Sequence, residues 1–465
     1  MLTLSFDKSN KRSYAQQIYT DIREKIISGE LESGERLPSS RELCRELDIA
    51  RNTVLTAYEM LVAEGAVTSV AGSGFYVREG VTRRPQRIPM THAQTASLSD
   101  VAVSEGTVNF DSGLPALDLF PREKWNRVVS HAFLDAPISA LGYDDPQGRP
   151  ELRKVLCEYL KRARGLSCTP EQIIVTSGAK QGLSLAAKCL LHADSEVWME
   201  NPSNANVTQI FSYYTKNIVP FGVDDQGILP EQFPKRGKPK LIFVTPSHQF
   251  PVGGILPIQR RLALVAFAQQ SGAYLLEDDY DSEFNYDAPP ATSLFALDRE
   301  RVLYVGTFSK VMFPSLRLGY LVVPAHLVSR VRELKRLADH HSNSITQLAL
   351  MRFLESGEFA RHVRRMKRIY RKRRDLLRDL LPRYFGNRVS ISGTAAGMHL
   401  IAAFEGVSFP EDRVKRLRQA GVYLVPVSAH SLIQDSHPGQ VILGFASLTQ
   451  EDMERGLALL KEECD

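Results

Sequence analysis

Apolar residues in the first 65 positions recur at helical spacing, whereas beyond about residue 108 they gather into short continuous runs; the two patterns predict two differently built domains. Ile18, Ile22 and Ile26 form an i+4 stripe on a segment that starts near Ser13 and stops at Gly29, an amphipathic helix with a glycine end. Ser39 stands three residues before Glu42, a capping box, and Leu43 and Leu47 supply the buried face of the short helix it opens. Asp48-Ile49-Ala50 makes a turn, and Asn52 is placed to cap a third helix. Val54, Tyr58, Leu61 and Val62 are its apolar positions, and Gly65 ends it. Val67 to Val77 alternates around Gly72-Ser73-Gly74, a β-hairpin.

In the second region the runs are 172–176, 196–199, 240–244, 273–276, 302–305 and 319–323, with helical segments between them. Strands apolar on both faces and alternating with helices predict an α/β domain on a mainly parallel sheet. Ligands of such sheets collect at the carboxyl ends of the strands, and each candidate motif follows one of these runs.

Composition adds bounds rather than a function. The 465 residues are 43% hydrophobic and 24% charged, the balance of a globular protein with at least two domains. A net charge of +5 neither demands nor excludes a nucleic-acid partner. Cys44, Cys157, Cys168, Cys189 and Cys464 are odd in number and include no C-x-x-C pair, so neither a disulfide framework nor a zinc site is expected. Met1 to Ser13 lacks the apolar core of a secretory signal, and no apolar run is long enough to span a bilayer. The expectation is a cytoplasmic protein with no membrane partner.

Two short helices joined by a tight turn form a helix-turn-helix, in which the start of the second helix enters the major groove. Arg51, Asn52 and Thr53 are thereby placed to meet bases and phosphates, with Ser39 and Arg41 on the preceding helix and Gly72, Ser73 and Gly74 at the hairpin tip completing the expected DNA-contacting set. This order of elements, with Leu37-Pro38-Ser39-Ser40-Arg41-Glu42-Leu43, Arg51-Asn52-Thr53-Val54 and Gly72-Ser73-Gly74-Phe75-Tyr76-Val77, resembles the GntR-type winged helix-turn-helix. Residues 1–79 hold 10 Lys and Arg against 12 Asp and Glu, a net of −2, so DNA binding must rest on local placement of Arg41 and Arg51 and on the doubled contacts of a dimer. Residues 80–107 read as a linker; its Arg83, Arg84 and Arg87 fit phosphate contacts or a solvated tether equally well.

The domain expected over 108–465 carries the chemistry. Ser177-Gly178-Ala179 precedes a helix, where backbone N–H groups can hold a phosphate. Glu277-Asp278-Asp279-Tyr280-Asp281 is an acidic cluster, and Lys310 lies downstream in Thr307-Phe308-Ser309-Lys310, before Arg317. Pyridoxal phosphate needs a lysine for a Schiff base, a carboxylate for the pyridine nitrogen, a hydroxyl beside the ring oxygen, and an arginine with small hydroxyls for the phosphate. Lys310, Asp278, Tyr280 and Arg317 with Thr307, Ser309 and Ser177 offer all four, while Asp279, next to Asp278, offers the same carboxylate. Gln249 and His248 are expected near the ring or as supports of their loop.

These strings resemble the fold-type I aminotransferases, and the whole chain resembles the MocR/GabR subfamily of GntR regulators. There a winged helix is fused to an aminotransferase-like domain. Gly142-Tyr143 through Arg153, Thr245 through Gly253, and Arg361-His362 through Arg373 carry the likeness further. The resemblance implies a homodimer that binds a double-stranded DNA operator and senses a small molecule through a Schiff base at Lys310: pyridoxal phosphate itself, an amine or an amino acid. An active aminotransferase with an N-terminal docking module is the alternative. The chain departs from its relatives where they grip ligand carboxylates: Asn204 and Asn206 stand in the loop after Glu200-Asn201-Pro202, and Ile442 stands where many aminotransferases place an arginine. An α-amino acid effector and efficient transamination are therefore not expected. His340-His341 has no partner at metal spacing and reads as structural, and the ten Lys and Arg between Arg361 and Arg378 read as a solvated helix face, or as a track for DNA phosphates.

Overall fold

The computed structural model describes residues 13–79, 106–286 and 292–465. These residues fall into two compact units, one within residues 1–99 and the other within 100–465. Arg83, Arg84 and Arg87 lie outside the described residues.

The first unit contains helices Tyr14–Ser28, Ser40–Glu46 and Arg51–Glu64, then antiparallel strands Val67–Val70 and Gly74–Val77. Ile18, Ile22 and Ile26 are fully buried, and Gly29 ends their helix at φ +80°. The capping box forms as the spacing predicts: Glu42 N donates to Ser39 Oγ at 3.2 Å, and Ser39 N donates to Glu42 Oε2 at 2.8 Å. The third helix begins earlier than Asn52 would set it. Asp48 takes the left-handed turn at φ +51°, so the chain enters the helix after Ala50, and Asn52 lies inside its first turn. Val62 faces outward; Ala57 joins Val54, Tyr58 and Leu61 in the buried stripe. Residues 34–37 run along the hairpin, with Leu37 N donating to Phe75 O at 2.9 Å and Val77 N to Glu35 O at 2.8 Å.

In the second unit an eight-stranded sheet runs in the order Ile173–Thr176, Gly319–Val322, Val302–Thr307, Tyr274–Asp279, Leu241–Val244, Val197–Asn201, Ile218–Asp224, Gly227–Ile228. All six apolar runs are strands of this sheet. Gly319–Val322 lies antiparallel between two of them, and Gly227–Ile228 closes one edge antiparallel; the other pairings are parallel. Alternate residues enter two separate cores: Ile173, Val175, Ile242 and Leu275 pack on one face, and Ile174, Leu241, Phe243 and Leu276 on the other. Burial on both faces is why these strands read as unbroken apolar runs rather than as alternation. A second, antiparallel sheet has the order Val389–Ser392, His399–Phe404, Gln440–Gly444, Val425–Pro426.

The strand Tyr274–Asp279 continues through the acidic cluster that the sequence places after it. Extension has a consequence, because neighbours on a strand face opposite ways. Glu277 and Asp279 share one face and Asp278 has the other. The basic segment 361–378 lies within a helix, Glu358–Phe385, and seven of its ten Lys and Arg are exposed, the solvated face its charge predicts, while others turn inward. Arg371 donates to Tyr286 O, Arg373 to Ala446 O, and buried Arg374 to Thr394 O at 2.7 Å while lying over the Tyr286 ring. These guanidiniums satisfy carbonyls of the fold. His340 packs against Tyr143, ring centroids 4.9 Å apart, and His341 Nδ1 meets Ser342 O at 2.9 Å.

Candidate functional site

Five strand ends converge on one region. Ser177, Tyr280 and Ser309 lie one or two residues beyond Ile173–Thr176, Tyr274–Asp279 and Val302–Thr307; Pro202 and Thr245 follow Val197–Asn201 and Leu241–Val244. Lys310 Nζ donates to Gly113 O at 2.8 Å. Burial pushes its pKa down, against the opposing pull of Asp111, Asp281 and Asp278. A lysine so placed carries more of the neutral, nucleophilic amine than an exposed one.

The paired acids separate sharply. Asp279 pairs with Arg164, Nε to Oδ2 at 2.7 Å, and accepts from the Tyr304 hydroxyl. Burial, the largest single influence, would raise its pKa, but Arg164 together with the hydroxyls of Ser282 and Tyr304 outweighs it and holds the carboxyl below the ordinary carboxylate range. Among the described residues Asp278 has no such partner: its Oδ1 is buried without a hydrogen bond. Burial, then the charges of Asp279 and Asp281, push its pKa up to about 7. Glu277, on the Asp279 face, accepts from Phe295 N at 3.2 Å and lies 4.0 Å from buried Arg261.

Tyr280 and His248 form a relay. The Tyr280 hydroxyl lies 2.9 Å from His248 Nδ1, which is also 3.0 Å from Asp281 Oδ2. An Nδ1–H shared with the Asp281 carboxylate leaves the tyrosine oxygen as an acceptor, so the tyrosine's own proton is free to be donated elsewhere. Gln249 is committed differently. Its amide donates to Pro202 O at 2.9 Å and Phe250 O at 2.8 Å, and its oxygen accepts from Val252 N at 3.0 Å. Of the two roles open to Gln249, that geometry is the loop support. His399 joins His248 and Asp281, the ligand-type atoms of the three lying within 4.8 Å of one another, all buried. His399 Nε2 contacts Pro251 O at 2.9 Å.

Around the helix Ala179–Leu190, Gly178 turns at φ +97° and packs against Arg317. A Cβ at 178 would sit 3.4 Å from the Arg317 guanidinium. Arg317 itself takes φ +52°, and its guanidinium makes no hydrogen bond or ion pair among the described residues. The first N–H groups of a helix, here from Gly178 and Ala179 on, have no intrahelical acceptor. Thr307 Oγ1 and Ser309 Oγ lie 3.1 Å apart. The Ser177 hydroxyl points away, donating to Asp339 Oδ2 at 3.2 Å, so it must turn to join them. Asn204 caps the helix Ala205–Ser212, and Lys180 reaches Asn206 Oδ1 at 3.3 Å. Ile442 is buried in an apolar cluster with Ile401 and Val427, packed by Phe250.

In the first unit Arg41, Arg51 and Asn52 are exposed and Thr53 half-buried, with Arg51 Nε steadied by Ser40 Oγ at 3.1 Å. The Ser39 hydroxyl is spent on its cap, and Ser73 Oγ lies 2.6 Å from Tyr76 OH within the hairpin. Gly72 and Gly74 take φ +75° and +123°. Arg36 joins these residues without any signal in the local sequence pattern. Its guanidinium lies 3.3 Å from where a Gly74 Cβ would stand, so an exposed cation sits at the hairpin tip; only the pairing of residues 34–37 with the hairpin reveals it.

This architecture, a winged helix-turn-helix with an aminotransferase fold, defines the class of the protein. Residues 14–77 match the family described as bacterial regulatory proteins, gntR family, and residues 106–460 match aminotransferase class I and II. The chain belongs to the MocR/GabR subfamily of GntR transcriptional regulators. It is 32% identical over 459 residues, 96% of this chain and 92% of the relative, to the probable rhizopine catabolism regulatory protein MocR of Rhizobium meliloti. It is 32% identical over 82% of this chain and 81% of the relative to the pyridoxine biosynthesis transcriptional regulator PdxR of Corynebacterium glutamicum. Among solved structures, the alpha-aminoadipate aminotransferase LysN of Thermus thermophilus, complexed with N-(5'-phosphopyridoxyl)-L-leucine, matches at 27% identity with a TM-score of 0.71 over 78% of this chain and 93% of that one. The chain is thus a helix-turn-helix transcriptional regulator with an aminotransferase-like domain, of a family whose members bind DNA operators. Among the described residues no helix is long and apolar enough to cross a membrane.

Proposed function

We propose that this regulator binds pyridoxal phosphate at Lys310 and couples the state of that site to operator occupancy. The observation that carries the reading is the Oδ1 of Asp278, buried without a hydrogen bond among the described residues, on a carboxylate whose desolvation a cationic partner would offset. A protonated pyridine nitrogen is such a partner. When bound, the cofactor supplies an aldehyde that condenses reversibly with amines. Asp278 would keep the ring nitrogen protonated, with Asp279 excluded by its bond to Arg164. Tyr280, backed by His248 and Asp281, would donate its hydroxyl proton to the ring oxygen. Arg317, the N–H groups at Gly178 and Ala179, and the hydroxyls of Thr307, Ser309 and a turned Ser177 would take the phosphate.

On the DNA side, Arg41, Arg51, Asn52 and Thr53 would meet the major groove and the hairpin tip, Gly72 to Gly74 with Arg36, the adjacent phosphates. The ligand is the cofactor itself or an amine, which competes with Lys310 and so favours one closure state over another. The test is operator binding on the upstream region of the chain's own gene, with and without pyridoxal phosphate and amines, for wild type and Lys310→Ala. Expected is an occupancy that responds to the cofactor in wild type only; an identical response in the variant overturns the reading.

A further inference from the structure

A second carboxylate stands beside the Lys310 amine. Asp111 follows the short strand Val108–Asn109, whose pairing with Val422–Tyr423 brings it in from a distant part of the chain. The point where a Gly113 Cβ would lie is 2.6 Å from Lys310 Nζ and 3.3 Å from Asp111 Oδ1, so the glycine leaves open the gap between amine and carboxylate. Gly113 N donates to Asp111 Oδ1 at 2.8 Å and fixes the carboxylate's orientation. Its Oδ2 makes no hydrogen bond among the described residues.

The surroundings leave that charge uncompensated on the effector side. His430, which also feels Asp111, is pushed down to about 4 by burial and stays neutral. It is held by Ala205 N at 3.3 Å and lies 5.0 Å from the Phe250 ring. Phe250 leads on to the apolar cluster of Ile401, Val427 and Ile442, which offers a carboxylate nothing. Two cations of the site, Lys180 and Arg317, stand at the start of the helix Ala179–Leu190, where the phosphate would bind.

We propose that Asp111 makes the site selective for cationic amines that carry a second positive group, and that it repels amino carboxylates. This rests on the reading that Lys310 anchors pyridoxal phosphate. A carboxylate brought next to Asp111 meets a like charge in a partly desolvated place, whereas an ammonium gains an ion pair there.

The full chain, loaded with pyridoxal phosphate, is titrated with 1,4-diaminobutane, 1-aminobutane and 4-aminobutanoate, which share a four-carbon spine and differ in the charge at the far end. The cofactor's visible absorbance reports binding and also records the loading of each variant, so equally loaded proteins are compared. In wild type the diamine is expected to bind about tenfold more tightly than the monoamine, and the aminobutanoate most weakly. Asp111→Asn should bring the diamine and the monoamine within about twofold, and Asp111→Glu, which keeps the charge, should retain a preference for the diamine. An aminobutanoate as tight as the diamine in wild type, or an undiminished preference in Asp111→Asn, overturns the proposal. If no lysine-linked absorbance forms that Lys310→Ala removes, the anchoring reading itself fails and takes this one with it; a normal band without discrimination among the amines sinks Asp111 alone.

Discussion

Asp278 and Asp279 are one bond apart in the chain and meet opposite surroundings, which makes their protonation measurable. The folded state raises Asp278 to about 7, so between its ordinary value near 4 and about 7 the folded protein binds a proton that the unfolded chain has released. Its contribution to stability is full below that window and falls as pH rises through it. Unfolding of the cofactor-free protein is therefore expected to show Asp278→Asn gaining on wild type by up to about 3 kcal/mol between pH 5 and pH 8. Glu200, raised to about 7, and Glu277, raised to about 8, both by burial, are common to the two proteins; Glu277 cancels, while the Glu200 charge also bears on Asp278 and belongs to the same difference. Variant and wild type falling in parallel would assign Asp278 an ordinary pKa. At Arg317 the expected outcome of Arg317→Lys is a loss of about tenfold or more in pyridoxal phosphate affinity by equilibrium dialysis, because an ammonium cannot reproduce a bidentate fork.

At the scale of elements, the short helix Ser40–Glu46 depends on its cap more than longer helices do, since seven residues supply few internal hydrogen bonds. Ser39→Ala removes one half of a reciprocal pair, and a loss of about 1 kcal/mol is expected in the unfolding transition of the winged-helix unit, followed by its own spectroscopic signal in the full chain. The recognition helix Arg51–Glu64 gives a different readout. Arg51→Ala should weaken operator binding and lower the slope of log affinity against log salt by about one unit if it meets phosphate, or relax sequence preference if it meets a base. Unchanged affinity, slope and preference would place the residue off the DNA. Arg36 reaches the hairpin tip through an edge pairing that has no local pattern.

For the whole molecule, Phe133, Leu134, Ile138, Leu141 and Tyr143 form an exposed apolar stretch, Ile138 at 89% and Tyr143 at 87% of full exposure. Exposed apolar residues so close in the chain fit an interaction surface, and a twofold dimer that presents two winged helices to paired half-sites is the partner proposed for it. Sedimentation is expected to show a dimer for wild type and a shift toward monomer for Ile138→Asp, with operator affinity falling in parallel. A variant that remains dimeric would place the interface elsewhere.

Periodicity, caps and turn residues alone determined the helix-turn-helix, the hairpin and the six central strands, because each is a local pattern repeated over a few residues. Lys310, Asp278, Tyr280 and Arg317 stand out as candidates in the sequence for a related reason: their chemistry is distinctive, and each lies in or just after a recognisable strand. Tertiary structure decided which acid of the pair is free, since strand alternation and Arg164, more than a hundred residues away, separate them. It also committed Gln249 to its loop, turned Ser177 toward Asp339 and set Asp111 beside Lys310. Those outcomes depend on which distant backbone each side chain meets, and no spacing along the chain records that.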